Sequence, residues 1–357
     1  MRSASSRVTH LPAVGRSARE AGLRYGSDRS PGIRRRRAGR AFAFVGADGR
    51  PVSPSTRERI RRLVIPPAWT DVWIAPDPLL HLQATGRDAR GRKQYRYHAK
   101  WAALRDQQKF DHLLPFADAL AAIRRQVSAD LRKPPLTREW VLATVVRLLD
   151  RTVLRIGNEE YARTNGSYGL TTLRNRHVRV SGANLSFRFR AKSGVVQDFD
   201  VRDPDLARAV RRCQELPGQQ LFQYLDQRGR LHTIASTDVN DYVRAVAGPD
   251  VSAKEFRTWT GTLAAAQGLA PLEPAPTTAA RQRDIVRVVD SVAKQLGNTR
   301  AVCRKCYIHP AILQAYQDGR PLRMPASVRP ARTGLNPCEQ ALRSFLRSRR
   351  SLDRQAA

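Results

Sequence analysis

Across 357 residues the chain carries 64 lysines and arginines against 31 aspartates and glutamates, a formal net charge of +33 at pH 7. That excess calls for a polyanionic partner, nucleic acid first and an anionic membrane surface second. No apolar run approaches the roughly 18–20 residues that span a bilayer, and no apolar core follows the basic N-terminus, so neither a membrane span nor a secretory signal is expected.

Hydrophobic residues make up 41% of the chain, enough to bury real cores, and the length suits two domains. Of the 64 basic residues, eight are lysine and 56 arginine. A guanidinium grips phosphate with a planar fork of donors, so the bias suits a DNA backbone. A GC-rich genome would also favour arginine codons, but it would not by itself deplete the acids.

Residues 1–40 are rich in Arg, Ser and Gly, with only Glu20 and Asp28 as acids. They read as a flexible basic arm whose densest charge is Arg34–Arg37; a mitochondrial transit peptide would look similar. Residues 41–115 read as a β-rich domain. Ala41–Val45 is a short apolar strand closed by an Asp-Gly turn, and a short helix is expected near Ser55–Leu63. Ile65-Pro-Pro-Ala-Trp69 must be extended. Val72–Ile74 and Leu79–Gln83 read as strands, and Gly86–Arg92 as a basic hairpin loop. Lys93–His98 alternates, with Tyr95 and Tyr97 on one face and Gln94, Arg96 and His98 on the other. Those tyrosines either lie on DNA or pack into the domain's core.

From residue 116 to 330 the pattern is mainly helical. Phe116–Leu131 and Leu136–Leu154 have helical spacing, the second with Trp140, Val141, Val145, Leu148 and Leu149 on its stripe. The period then switches to two: His177–Val180, then Leu185, Phe187 and Phe189 alternating with Ser186, Arg188 and Arg190, then Val195–Val201. These make a small antiparallel sheet with Lys192 at a hairpin tip. Helices return over about 204–320, broken by the Pro-rich stretch 271–276. The tail, 331–357, reads as loose and basic.

The cysteines are Cys213, Cys303, Cys306 and Cys338, which do not make a disulfide framework for a chain this long. Cys303-Arg-Lys-Cys306 is a lone CxxC, and a structural zinc needs four ligands; ordinary thiols in a reducing cytoplasm are expected. No GxxxxGK[ST] motif and no GxGxxG before a helix supports nucleotide use. No 20–50-residue period suggests a repeat fold.

Several segments together resemble the poxvirus-type and bacterial type IB DNA topoisomerases. In the N-terminal part these are Ile65-Pro-Pro-Ala-Trp69 and the run Thr85–His98. Further on they are Leu154-Arg-Ile-Gly-Asn158, Tyr168-Gly-Leu-Thr-Thr-Leu-Arg174, Ala191-Lys-Ser-Gly194, Lys254-Glu-Phe-Arg-Thr-Trp-Thr260 and the run Leu296–Pro310. No single piece is decisive; their order and spacing are. The resemblance covers about residues 20–325. It implies Tyr307 as nucleophile, Arg155 and Arg257 on the scissile phosphate, Lys192 as the acid that protonates the leaving oxygen, and Asn298 where the poxvirus enzymes have histidine. It also implies DNA contacts at Gln94, Tyr95, Tyr97, Tyr161 and Lys254. Asn158 stands where poxvirus enzymes carry a lysine, which puts their cleavage-site preference in doubt for this chain.

The implied chemistry needs these residue types. A phenol with an ordinary pKa of about 10 needs an electropositive site to attack a phosphodiester at neutral pH. Two guanidinium forks stabilise charge on the non-bridging oxygens without a metal. A 5′-alkoxide leaves poorly and needs a general acid. The product, a 3′-phosphotyrosine beside a free 5′-hydroxyl, keeps the bond energy, so resealing needs no ATP. Asn298 can donate a hydrogen bond but neither carries charge nor moves a proton. Nine residues separate it from Tyr307, half a turn out of phase on one helix, so the chain must bend between them.

The expectation is therefore an α+β chain, with a small β-rich N-terminal domain and a mostly helical catalytic domain forming a C-shaped clamp on double-stranded DNA. It is expected to relax supercoils as a cytoplasmic, nucleoid-associated monomer, with no metal, cofactor, nucleotide or membrane. A tyrosine recombinase shares the chemistry but usually carries HxxR where Lys254-Glu-Phe-Arg257 stands here. A non-enzymatic architectural DNA-binding protein explains the charge equally well, but nothing in binding alone requires Tyr307, Lys192 and two arginines in that order.

Overall fold

The computed structural model describes residues 13–39, 41–89, 91–325 and 333–355. The chain forms two compact units, one ending at Lys109 and the other starting at Phe110. Together they make a mixed architecture, with a small antiparallel N-terminal sheet and a mainly helical second unit. No described helix is long and apolar enough to cross a membrane.

The first unit runs α1 (Ala13–Glu20), β1 (Ile33–Ala38), β2 (Ala41–Val45), α2 (Pro54–Arg62), β3 (Thr70–Ile74), β4 (Leu82–Arg87), β5 (Lys93–Tyr97) and α3 (Ala99–Gln107). The strands form one antiparallel sheet in the order β2-β1-β3-β4-β5. Helix α2 starts where Ser53 accepts the Thr56 N–H and Pro54 presets the first turn. Its Ile60 packs with Ile33, Val72, Ile74 and Ala84 of the sheet. Trp73 belongs to a separate buried group with Ala75 and Leu82, and its Nε1–H donates to the Ser30 carbonyl at 3.0 Å.

The expected flexible arm gives way here: Arg34–Arg37 lie in strand β1, with Arg34, Arg36 and Arg37 exposed. Ile33 anchors the strand in the core. Arg35 is half-buried, lies 4.2 Å from the Phe42 ring centroid, and donates to the carbonyls of Pro66, Pro67 and Trp69. A guanidinium can therefore satisfy the carbonyls of a Pro-rich segment that no strand partner reaches. The part of the arm at residues 1–12 lies outside the described residues.

The second unit begins with α4 (Leu113–Asp130), α5 (Arg138–Arg151) and α6 (Glu159–Asn165), then β6 (Val178–Ser181), β7 (Asn184–Arg190) and β8 (Val196–Arg202). It continues through α7 (Pro204–Gln214), β9 (Gln223–Leu225), β10 (Leu231–Thr233), α8 (Ser236–Ala247), α9 (Lys254–Leu269), α10 (Thr278–Leu296), α11 (Arg300–Cys306), α12 (Pro310–Gln317) and α13 (Pro337–Gln355). Helix α5 is central: every residue from Trp140 to Val146 is buried, as expected of a helix packed on all sides. The predicted alternation in β7 holds, with Leu185, Phe187 and Phe189 buried and Ser186, Arg188 and Arg190 exposed. Phe187 stacks on Phe199 of β8 at 5.1 Å between centroids.

Two stretches differ from expectation. Within the supposedly helical 204–320, β9 and β10 form a hairpin, with three-residue strands too short to show a period. The tail is not loose over Pro337–Gln355 but is helix α13. Cys338, Leu342 and Leu346 recur at four-residue intervals and are buried, a stripe that the surrounding arginines disguise. Glu339 pins this helix: its carboxylate accepts both Arg124 Nη1 and Nη2 at 2.8 Å, and Arg124 also forks onto Asp150 at 2.9 Å. The Glu339 carboxyl is held below its ordinary range by Arg124 despite its burial. Tail residues 331–332 and 356–357 lie outside the described residues.

Candidate active site

Arg155 follows directly on the end of α5. Thr152 leaves the helix in extended conformation, its hydroxyl donating to Leu148 O at 2.7 Å. Five residues later Gly157 adopts φ +103°, which a side chain would resist. Gly169 lies so close that a Cβ on it would fall 2.6 Å from the Gly157 Cα. That contact lets Leu170 N–H reach Arg155 O at 2.9 Å and Thr171 N–H reach Ile156 O at 2.8 Å. The backbone around Arg155 is thereby clamped. Tyr168 N–H donates to Arg190 O at 2.8 Å, which fixes the same segment to the end of β7.

Arg257 lies one turn into α9 and is buried, with 5% of its surface exposed. It donates to Val153 O, two residues before Arg155, and to Leu296 O at 2.8 Å, two residues before Asn298. Its guanidinium carbon lies 5.0 Å from the Tyr307 ring centroid. Burial, reinforced by the charge of Arg155, pushes the Arg257 pKa down, while Tyr307 acts in the opposite sense.

The expected bend between Asn298 and Tyr307 is present. Helix α10 ends at Gly297, which is left-handed (φ 59°, ψ 48°), and Thr299 caps α11 by accepting Val302 N–H. Asn298 leaves the helix axis, and its Oδ1 accepts Arg155 Nη2 at 2.6 Å. Tyr307 caps the other end of α11. Its backbone is gripped from α9: Thr262 Oγ1 donates to Tyr307 O at 3.2 Å and accepts His309 N–H at 3.1 Å. Gly261 makes room for this, because a Cβ there would meet Tyr307 O at 2.7 Å.

Arg155, Arg257, Asn298 and Tyr307 are thus drawn from four separate segments into one connected group. Among the described residues, the buried Arg257 Nε–H and Asn298 Nδ2–H have no acceptor. A buried donor left unpaired costs about 1–3 kcal/mol, so these groups suit an anion with several acceptor oxygens. The other candidates are arranged differently. Lys192 is exposed at the turn joining β7 to β8, and no hydrogen bond or ion pair joins it to the four among the described residues. Lys254 is exposed at the start of α9, and Tyr161 is exposed on α6. In the first unit Tyr95 and Tyr97 are each 47% exposed and lie nearly parallel, 6.0 Å apart; they are surface groups rather than core. Gln94 donates to Asp88 at 2.9 Å. The thiol of Cys303 is buried beneath the site and pushed up to about 11 by that burial. Among the described residues no cluster of His, Cys, Asp and Glu could hold a metal.

Gly261, Thr262 and the Gly157–Gly169 pair escape sequence reasoning. The one usable signal is Gly261, since a glycine inside a helix weakens it and needs a packing reason.

Comparison with known proteins agrees with this geometry. Residues 98–323 match the family described as eukaryotic DNA topoisomerase I, catalytic core. Residues 41–88 match the bacterial DNA topoisomerase IB N-terminal domain. The chain is 32% identical over 295 residues to DNA topoisomerase 1B of Acanthamoeba polyphaga mimivirus, covering 80% of this chain and 88% of that protein. It is 22% identical over 268 residues to DNA topoisomerase 1B of Vaccinia virus, covering 73% and 82%. From its four-residue cluster to its N-terminal sheet, the chain belongs to the type IB DNA topoisomerase family.

Proposed function

We propose that this enzyme relaxes supercoiled DNA by cutting one strand with Tyr307, letting the duplex swivel, and resealing it. The reading is carried by the convergence of two arginines and an asparagine on one tyrosine, with two buried N–H donors unpaired. The Tyr307 hydroxyl attacks the scissile phosphorus in line and gives its proton to water. Arg155 and Arg257 neutralise the charge that builds on the non-bridging oxygens. The Asn298 amide donates one hydrogen bond to the same phosphate. Lys192 gives its proton to the 5′-oxygen as the phosphorus–oxygen bond breaks.

The 3′-phosphotyrosyl bond retains the energy of the phosphodiester, so the 5′-hydroxyl can reverse the step without ATP. Both units bind the duplex. Gln94, Tyr95 and Tyr97 contact the major groove, while Tyr161 and Lys254 contact the DNA near the cut. The surplus of 33 positive charges supplies sequence-independent affinity, which weakens steeply with salt. The test is plasmid relaxation in excess EDTA without nucleotide. The wild type is expected to relax the plasmid and Tyr307→Phe to leave it supercoiled; full activity in the mutant, or none in the wild type, overturns the reading.

A further inference from the structure

The sheet of β6, β7 and β8 contains one side chain that breaks its own pattern. Gln197 of β8 lies directly opposite Phe189 of β7, just as Phe199 lies opposite Phe187. Paired residues on antiparallel strands share a face, so Gln197 points to the same side as Leu185, Phe187 and Phe189, all buried. The period of two calls for an apolar residue there; the chain places an amide. That amide faces Gly297, where a Cβ would come within 3.0 Å of Gln197 Nε2. Gly297 is the left-handed residue that ends α10 and turns Asn298 toward Arg155. Its carbonyl also lies 3.5 Å from Arg155 Nη2.

Gln197 thus connects the hairpin that bears Lys192 to the bend that bears Asn298. Among the described residues, the backbone hydrogen bonds across the tip beyond the buried Ala191 are internal to it: Ala191 N–H donates to Val195 O at 2.7 Å and Gly194 N–H to Ala191 O at 3.1 Å. Lys192, Ser193, Val195 and Val196 are exposed. An exposed tip has few contacts to fix it, and a proton donor must be held within hydrogen-bond reach of the leaving oxygen.

We propose that Gln197 is a positioning residue for Lys192. By seating its amide on Gly297, it sets the hairpin tip at a fixed distance from the phosphate-binding group of Arg155, Arg257 and Asn298. This rests on the reading of Lys192 as general acid. Gly297 has a second role in it: besides the left-handed turn, its missing side chain makes the seat for the amide.

The test separates the acid from the phosphate site by changing the leaving group. Cleavage is measured in a single turnover on a duplex carrying a site mapped by denaturant trapping. The bridging 5′-atom is either oxygen or sulfur. A thiolate leaves without protonation, its parent thiol having a pKa of about 8.5. With oxygen, Gln197→Ala is expected to cut roughly 10- to 100-fold more slowly, the scale of a misplaced reacting group. With sulfur it is expected to match wild type, and DNA affinity should be unchanged on both. Gln197→Met, which keeps the length but lacks the amide, guards against a packing defect and should behave as Gln197→Ala does.

Equal slowing of Gln197→Ala on oxygen and sulfur would place Gln197 with the phosphate group and overturn the proposal. So would no slowing on either. Lys192→Ala is run in parallel. Its rescue by sulfur upholds the general-acid reading whatever Gln197 does. If sulfur fails to rescue Lys192→Ala, that reading fails and the proposal falls with it.

Discussion

The two units use arginine in opposite ways. In the N-terminal unit, apart from the half-buried Arg35 and Arg59, the guanidiniums sit outside: Arg36 and Arg37 of β1 are exposed, and Arg34 reaches an exposed partner in Asp71 at 3.4 Å. The catalytic unit buries the ones that matter. Arg257 is 5% exposed and Arg124 8%, and each is held by named acceptors. An exposed arginine adds affinity for a polyanion at little structural cost. A buried one is fixed in place and meets little competition from water, so it can stabilise charge that exists only at the transition state. On the proposed mechanism the same residue type gives grip in one unit and, at Arg257, rate in the other.

The largest test of that contrast is Arg257→Lys. Lysine keeps the charge but loses the fork that spans Val153 O and Leu296 O. Single-turnover cleavage should fall about 100- to 1,000-fold, the scale of removing an oriented donor to a transition-state oxyanion, while plasmid binding stays the same. A variant that cuts at wild-type rate would show that the charge alone suffices.

Next in size is the Arg124 network. Glu339→Ala removes one of the two carboxylates that hold the buried Arg124 guanidinium, leaving Asp150, and should destabilise the catalytic unit by about 1–3 kcal/mol, read as a lower denaturation midpoint. If stability is unchanged, α13 is not part of that unit's core. A smaller effect is expected from Arg36→Gln with Arg37→Gln. Plasmid affinity should weaken modestly, and the slope of log affinity against log salt should shrink by about 0.9 for each phosphate no longer neutralised. The cleavage rate at saturating DNA should not move; if it falls, the exposed arginines do more than grip.

The smallest effect concerns pH. His177 is buried against Tyr168, its Nδ1 accepts the Arg174 N–H, and burial pushes its pKa from 6.5 down to about 4. The unfolded chain therefore binds more protons than the folded one between those values. Stability should fall as pH drops from 6.5 toward 4 and be unaffected by this group above that window. His177→Gln, which keeps an acceptor, should flatten that part of a stability-against-pH profile. An unchanged profile would show that His177 does not set it.

Much of the fold was legible because its patterns are local. The alternation of Leu185, Phe187 and Phe189 and the stripe on α5 appear where they were read, whereas Ile65–Trp69, read as extended, turns at Pro67 and Ala68 with Trp69 N–H donating to Pro66 O at 3.1 Å. Two of the misreadings share a cause: arginine hid the period. Four arginines in a row concealed β1, whose Ile33 reaches the core, and a run of arginines concealed the Cys338, Leu342 and Leu346 stripe of α13. The site was another matter. Nothing local distinguishes Arg155 or Arg257 among 56 arginines, because their setting is made by Gly169, Leu296 and Tyr307, far away in sequence. The resemblance to a known family named them; the contacts explain how they are held. Gly261 and Thr262, which hold the backbone of Tyr307, left no sign beyond an out-of-place glycine.

The most direct measurement is to stop the reaction with denaturant and find where the DNA is attached. A covalent adduct on the 3′ side of the nick, mapped by peptide sequencing to Tyr307 and formed in EDTA without ATP, is the predicted result. Attachment to the 5′ end, attachment through a residue other than Tyr307, or an adduct that forms only with added metal would contradict the account.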